Sequence, residues 1–231
     1  MDRNSNLYTF IFAVLLVVGV AAALAFTATT LKPLQAENVK KEKMQNILST
    51  IGVNVSRDEA GQQFEDYVKE EMALNADGTV NESVDAFKIE LMKETKKPKE
   101  EQAFPIYLAE KDGKQFYVIP LFGAGLWKEI WGYVALGSDK NTIVGASFDH
   151  AGETAGLGAE INQSWYEDQY IGKTIFDENG TFVSVRAIKG GSQPGDIHGV
   201  DAISGGTITC DGVNAMVAER LENYLPYFKN N

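Results

Sequence analysis

Residues Asp201 to Thr209 read Asp-Ala-Ile-Ser-Gly-Gly-Thr-Ile-Thr, with Gly205 and Gly206 directly before a threonine and an apolar-periodic run. Glycines let a backbone approach a ligand closely, and the start of a helix offers free N–H groups and the positive end of its dipole. The segment therefore suits a phosphate, with the Thr207 hydroxyl beside it. Ser204, Thr207 and Thr209 all carry a hydroxyl able to bond to a phosphoryl group. The same residues also describe an ordinary N-cap, in which a Ser or Thr beside glycine accepts a backbone N–H.

Three other segments combine glycine with polar or planar side chains. Pro120 to Trp127 has glycines at 123 and 125 and a tryptophan whose broad apolar face suits a planar ring. A core tryptophan in a glycine bend fits equally well. His150 to Gly158 (His-Ala-Gly-Glu-Thr-Ala-Gly-Leu-Gly) lets backbone amides meet the polar edge of a ligand while Leu157 covers a face. It is also readable as a surface glycine loop. His150 and Glu153 could instead be metal ligands, with Asp149 adjacent to His150, but only two candidates lie close together and no further ligand has convincing spacing, so no metal is expected. Ile188-Lys189-Gly190-Gly191 puts a cation in a turn, either to offset phosphate charge or simply exposed.

These segments need elements to hold them. Met44, Ile47, Leu48 and Ile51 recur on one face of a helix over 36–51, and Phe64, Tyr67, Val68 and Met72 repeat that spacing over 58–73. Phe87, Ile89 and Leu91 alternate as in a strand, and 93–101 is a charged loop with Pro98. The runs 106–110 and 116–121 flank Asp112-Gly113, a hairpin signal. Further strands are expected over 131–136, 142–148 and 181–188. From Thr207 a helix carries Val213, Met216, Val217, Leu221, Tyr224 and Leu225, with Pro226 marking its end. The pattern predicts an α+β fold: one N-terminal transmembrane helix, then a mostly antiparallel sheet domain with flanking helices. Three parts follow: an anchor over 1–35, a helical and mixed part over 36–105, and a ligand-binding domain over 106–231.

Composition narrows the function. A net charge of −11 over 231 residues argues against nucleic acid, because neutralising phosphates needs Lys and Arg. It also disfavours lying flat on anionic lipid. A single cysteine, Cys210, excludes an internal disulfide and a Cys-only metal site. From Asn4 to Leu31 no residue is charged, a stretch long enough to span a bilayer. Ala23-Leu24-Ala25 resembles a signal-peptide cleavage site. The basic flank is thin, since Asp2 offsets Arg3, and the apolar stretch is long, so a retained anchor is the reading taken. With no ionisable group in it, the anchor carries no ion pathway alone. Lys32, Lys40, Lys41 and Lys43 follow it and argue for a cytoplasmic domain.

Taken together, the anchor, Gly125-Leu126-Trp127, Glu153 to Gly158, the Lys189-Gly190 turn and the Asp201–Thr207 segment resemble one family. It is the FMN-binding domain family, specifically the C subunits of Na+-translocating NADH:quinone reductases. The resemblance spans nearly the whole chain and is strongest from about residue 116 to 225. It implies an FMN held by a phosphoester to Thr207, placed there by a flavin transferase that uses FAD. It also implies a flavinylation motif at Asp201, Ser204, Gly205 and Gly206, with Asp201 the acidic position the transferase recognises. Trp127, Glu153, Thr154, Leu157, Gly158 and Lys189 become candidate FMN contacts. The implied role is to relay electrons from NADH towards ubiquinone or another quinone, while the other subunits of the complex move Na+. The implied location is the inner membrane, single-pass, with the domain in the periplasm, against the lysine bias. Gly206 stands where alanine is usual and loosens the backbone; Ala155 stands where proline is usual. The G subunits of Rnf-type complexes share the anchor and the threonine-linked FMN. The 58–102 insert and Gly-Leu-Trp favour the quinone reductase. A non-redox membrane-anchored assembly subunit is the alternative of a different class.

Overall fold

The structure, a computed structural model, describes residues 3 and 5–230. Asp2 and Asn4, used above in reading the amino terminus, lie outside the described residues, as do Met1 and Asn231. The chain divides into two units, one ending at Lys43 and the other beginning at Met44.

The first unit is helical. Helix α1 runs Asn6–Thr50 without interruption, so the anchor and the helix expected over 36–51 are one element. It is long and apolar enough to cross a membrane, with a mean hydropathy of 2.7 over its most apolar window. Thr27, Thr29 and Thr30 turn their hydroxyls back onto the carbonyls of Ala23, Ala25 and Phe26 at 2.9, 2.7 and 2.8 Å. That hides polar groups a bilayer would otherwise leave unpaired. Pro33 sits inside the helix and supplies no N–H to the turn before it.

The second unit is built on one antiparallel meander. Its strands are β1 (Val68–Leu74), β2 (Phe104–Lys111), β3 (Lys114–Ala124), β4 (Glu129–Leu136) and β5 (Ile143–His150), paired in that order. Alternate side chains serve two cores. Ile106, Leu108, Ile119, Leu121, Ile130 and Val134 face one; Tyr107, Ala109, Val118, Tyr133 and Ala135 face the other. The second core is closed by Met44, Ile47 and Leu48 of α1 and by Phe64 of α2 (Ala60–Tyr67). Lys111 Nζ donates to the carbonyls of Ile51 and Gly52, both at 3.0 Å, tying the chain after α1 to the β2–β3 hairpin. The first core is closed by α5 (Thr207–Glu222), by α6 (Leu225–Asn230) and by the irregular stretch 158–185. That stretch holds the single-turn α4 (Ser164–Glu167); another single turn, α3 (Leu91–Glu94), lies before β2. Two short parallel strands, β6 (Arg186–Ile188) and β7 (Gly199–Asp201), lead into α5.

Four sequence expectations need correction. The helical spacing of Phe64 and Tyr67 ends at Tyr67, and Val68 and Met72 belong to strand β1. Apolar residues three or four apart fit either element once a helix runs straight into a strand. Phe87, Ile89 and Leu91 do not form a strand: the Asp85 side chain accepts from Phe87 N and starts a tight turn over Ala86–Lys88. Only Arg186–Ile188 of the run 181–188 is strand, because Ser184 takes a left-handed φ of 61°. Pro226 does not end α5; it sits in the first turn of α6, where a missing N–H costs nothing.

Candidate functional site

Strands β6 and β7 end side by side at Ile188 and Asp201; the segment after Asp201 runs into α5, and Lys189, Gly190 and Gly191 after Ile188 line the same cleft. The turn is tight: Gly205 has φ +74°, and Gly206 N donates to Ile203 O at 3.0 Å. The positive φ calls for glycine, and a side chain at 205 would also displace the Leu157 tip, whose Cδ2 lies 2.6 Å from the position of a Cβ. Gly206 is the N-cap and α5 begins at Thr207, with no side chain capping it. The ordinary capping role for Ser204 or Thr207 is therefore not used. Among the described residues nothing accepts from the N–H groups of Thr207, Ile208 and Thr209, as a helix N-terminus leaves them unless something binds there.

The three hydroxyls of the segment differ in situation. Thr209 is buried at 1% exposure and donates to Glu153 Oε2 at 2.7 Å. Ser204 is exposed in the turn. Thr207 is half-buried, and its hydroxyl makes no hydrogen bond among the described residues.

Thr207 lines two clefts. The larger, about 500 Å³, is lined by Lys189, Gly190, Gly191, Asp201, Ser204 and Gly205 among others. Lys189 has no ion-pair partner among the described residues. Asp201 Oδ1 accepts from Ser192 N at 2.7 Å and Ser192 Oγ at 3.2 Å, which fixes the Lys189–Ser192 turn. The smaller cleft, about 200 Å³, is lined by Leu126, Glu153, Thr154, Leu157, Gly158, Gly206, Ile208 and Thr209 among others. Its rim is apolar yet open: Leu126, Leu157 and Ile208 are 45%, 41% and 58% exposed.

Trp127 stands beside this cleft, two-thirds exposed, with Nε1 donating to Thr154 Oγ1 at 3.2 Å. Glu153 is turned inward. Its Oε1 accepts from Trp127 N at 2.9 Å and Lys128 N at 3.5 Å, while Oε2 takes the Thr209 hydroxyl. Burial alone would raise this carboxyl, but the Trp127 amide, the Thr209 hydroxyl and the Lys128 and Leu126 amides outweigh it and hold it below the usual glutamate range. One carboxylate thus ties together the β3–β4 turn, the 150–158 loop and the first turn of α5. His150 serves the same loop, its Nδ1 accepting from Glu153 N at 3.1 Å. With both Glu153 oxygens engaged, His150, Asp149 and Glu153 form no converging ligand set among the described residues.

The structure thus gathers the residues singled out in the sequence around the start of α5, and adds Ile208 and Ser192. It gives Thr209 a structural partner in Glu153 rather than an open oxygen. Ile208 carries no signal beyond being apolar.

The FMN-binding domain family model matches residues 125–222, which spans the β3–β4 turn, the 150–158 loop and α5. The C subunit of the Na+-translocating NADH-quinone reductase of Pseudomonas aeruginosa is 30% identical over 94% of this chain and 91% of its own length. The chain belongs to this C-subunit family. The Yersinia pestis C subunit is likewise 30% identical, over 89% of this chain and 84% of its own length. The crystal structure of the Parabacteroides distasonis C subunit superposes with a TM-score of 0.80 at 41% identity, covering 87% of this chain and 98% of that one. NqrC of Shewanella oneidensis gives a TM-score of 0.72 at 29% identity, over 83% and 99%. These matches agree with the α+β fold and the antiparallel sheet expected from the sequence. Family membership makes the chain a subunit of an oxidoreductase complex.

Proposed function

We propose that this chain carries FMN through a phosphoester to Thr207 and relays electrons from NADH towards quinone within a Na+-translocating complex whose other subunits move the ion. The observation that carries the reading is the contrast among three hydroxyls. Thr209 is buried and bonded, Ser204 lines only the larger cleft, and Thr207 lines both with its oxygen uncommitted.

The residues fit the group. Open amides at the start of α5 and the Lys189 ammonium suit a phosphate on Thr207. Leu126, Leu157, Ile208 and Trp127 offer apolar surface for a planar ring, and Thr154 offers a polar edge. Gly158 lets the backbone close over that cleft, and Asp201 holds the Lys189 turn in register with Thr207. When bound, FMN supplies the redox chemistry; the protein supplies position and electrostatics.

Attachment by a flavin transferase balances simply. The Thr207 oxygen forms a bond to the FMN phosphorus of FAD, the diphosphate bond breaks, AMP leaves, and the hydroxyl proton goes to the transferase or solvent. A tethered carrier keeps a high local concentration without binding energy spent on retention.

In this reading residues 1–35 anchor the chain in the inner membrane, 36–105 complete the sheet domain and 106–231 hold the flavin. The domain is assigned to the periplasm, against the bias of Lys32, Lys40, Lys41 and Lys43. Protease added to sealed inverted vesicles should leave it intact; digestion would put it in the cytoplasm.

The deciding experiment is peptide mass spectrometry after co-expression with a flavin transferase. The expected result is the mass of FMN less one water on the peptide containing Thr207, with fragment ions assigning it to that residue. No adduct, with the transferase active on a control substrate, would favour a non-redox assembly role.

A further inference from the structure

We propose that Glu153 is a fixed negative charge that sets the reduction potential of the flavin beside it, with the Thr209 hydroxyl partly offsetting that charge. The inference rests on FMN being attached at Thr207, since the cleft Glu153 lines is the one that also contains Thr207, Leu157 and Ile208.

The carboxylate is buried at 8% exposure and makes no ion pair with a cation among the described residues. Neutral donors alone hold it: the backbone N–H groups of the β3–β4 turn, with Trp127 and Lys128 at 2.9 and 3.5 Å, and the Thr209 hydroxyl. Such an arrangement is costly, because a buried carboxylate normally takes a cationic partner. The surrounding backbone is shaped to it. A Cβ at Gly125 would lie 2.5 Å from Oε1, and a Cβ at Gly158 would lie 2.7 Å from Oε2. Glycines on both sides thus let two segments close on the carboxylate.

Hydrogen bonding does not explain why the group is charged. A glutamine there keeps the same neighbours with one bond reversed: its oxygen accepts from Trp127 N and Lys128 N, while its amide donates to Thr209 Oγ1, and the hydroxyl proton loses its carboxylate acceptor. The feature unique to glutamate is the charge. Reduction adds electrons to the ring, which the test below supplies from dithionite. A neighbouring negative charge opposes them unless the ring also takes a proton from solvent. Glu153 therefore lowers the potential and couples reduction to proton uptake.

The test uses the full flavinylated chain in detergent, as wild type, Glu153→Gln and Thr209→Val. Flavin content is checked first by mass, and each protein is then titrated with dithionite against redox mediators and followed by flavin absorbance. At a fixed ambient potential, Glu153→Gln should raise the ratio of reduced to oxidised flavin by about tenfold or more. One unit charge acting on an electron added to a ring in the same cleft, with an effective dielectric of about 20, has an effect of at least that order. Thr209→Val keeps the charge and removes a donor, so it should give a smaller shift in the opposite direction. An unchanged or lower ratio in Glu153→Gln would overturn the inference, as would equal shifts of the same sign in both variants. Should Glu153→Gln fail to fold, Thr209→Val decides alone, and a raised ratio there overturns it. A wild-type chain without flavin would overturn the attachment at Thr207, and this inference with it.

Discussion

Thr207→Ala loses covalent flavin completely and keeps the stability of the wild type. The two halves of that expectation have separate causes. The hydroxyl is the atom that bonds to phosphorus in our reading, and alanine has none. The same hydroxyl makes no hydrogen bond among the described residues, and the N-cap is Gly206 rather than Thr207. Alanine is also a good helix former, so the change at a half-exposed first-turn position should stay within about 0.5 kcal/mol. Denaturing gels imaged for flavin fluorescence, beside thermal unfolding followed by circular dichroism, check both halves. Thr207→Ser should restore the adduct. A fluorescent band from Thr207→Ala would move the attachment to Ser204 or Thr209 and defeat the assignment.

Gly158→Ala is expected to do the reverse, harming the fold first and the flavin as a result. A Cβ at 158 would lie 2.3 Å from Thr209 Oγ1 and 2.7 Å from Glu153 Oε2. Both atoms belong to one buried hydrogen bond: Thr209 is fixed on α5, with its Cβ at 3.0 Å from the added carbon, and the Glu153 carboxylate, though the end of a longer side chain, is held at its other oxygen by Trp127 N and Lys128 N. Either the bond breaks, leaving a buried carboxylate short of a donor, or the 150–158 loop moves off α5. A buried polar group left unsatisfied costs about 1–3 kcal/mol, and for a chain of this size each 1 kcal/mol lowers Tm by roughly 2–4 °C. Leu157 and Thr154 move with the loop, so flavin loading should fall as well. Gly156→Ala is the control: φ there is +75°, but no atom lies within 4 Å of the added carbon, so only the modest left-handed strain is felt. Equal losses from the two variants would show that the Glu153–Thr209 contact contributes nothing.

Much of the sheet was legible in the sequence because β2, β3 and β4 are covered on both faces. Such strands appear as nearly continuous apolar runs, and Asp112 and Gly113, at φ 53° and 71°, form the tight turn their dipeptide announces. The start of α5 was legible for the same kind of local reason. What failed were segments whose conformation depends on distant partners. Val68 and Met72 continue a helical spacing, yet pairing with β2 draws them into a strand. Phe87 alternates like a strand residue, yet the Asp85 side chain starts a turn beneath it. At the site, Glu153 reads as a polar residue of an exposed glycine loop. Its burial is made by Gly125 and Thr209, 28 residues before it and 56 after, and no local pattern announces that.

Cys210 sits three residues past Thr207 on the inner face of α5, 1% exposed, with Ile203 N donating to its sulfur at 3.3 Å. Burial pushes its thiol pKa up, so it stays protonated and out of reach of electrophiles. It is the chain's sole cysteine. A cysteine introduced on the surface would therefore be the one position that maleimide reagents find, with the native thiol left in place. Spin labels or fluorophores placed there can then report distances to a flavin carried on Thr207, the attachment proposed above, from any chosen point on the domain.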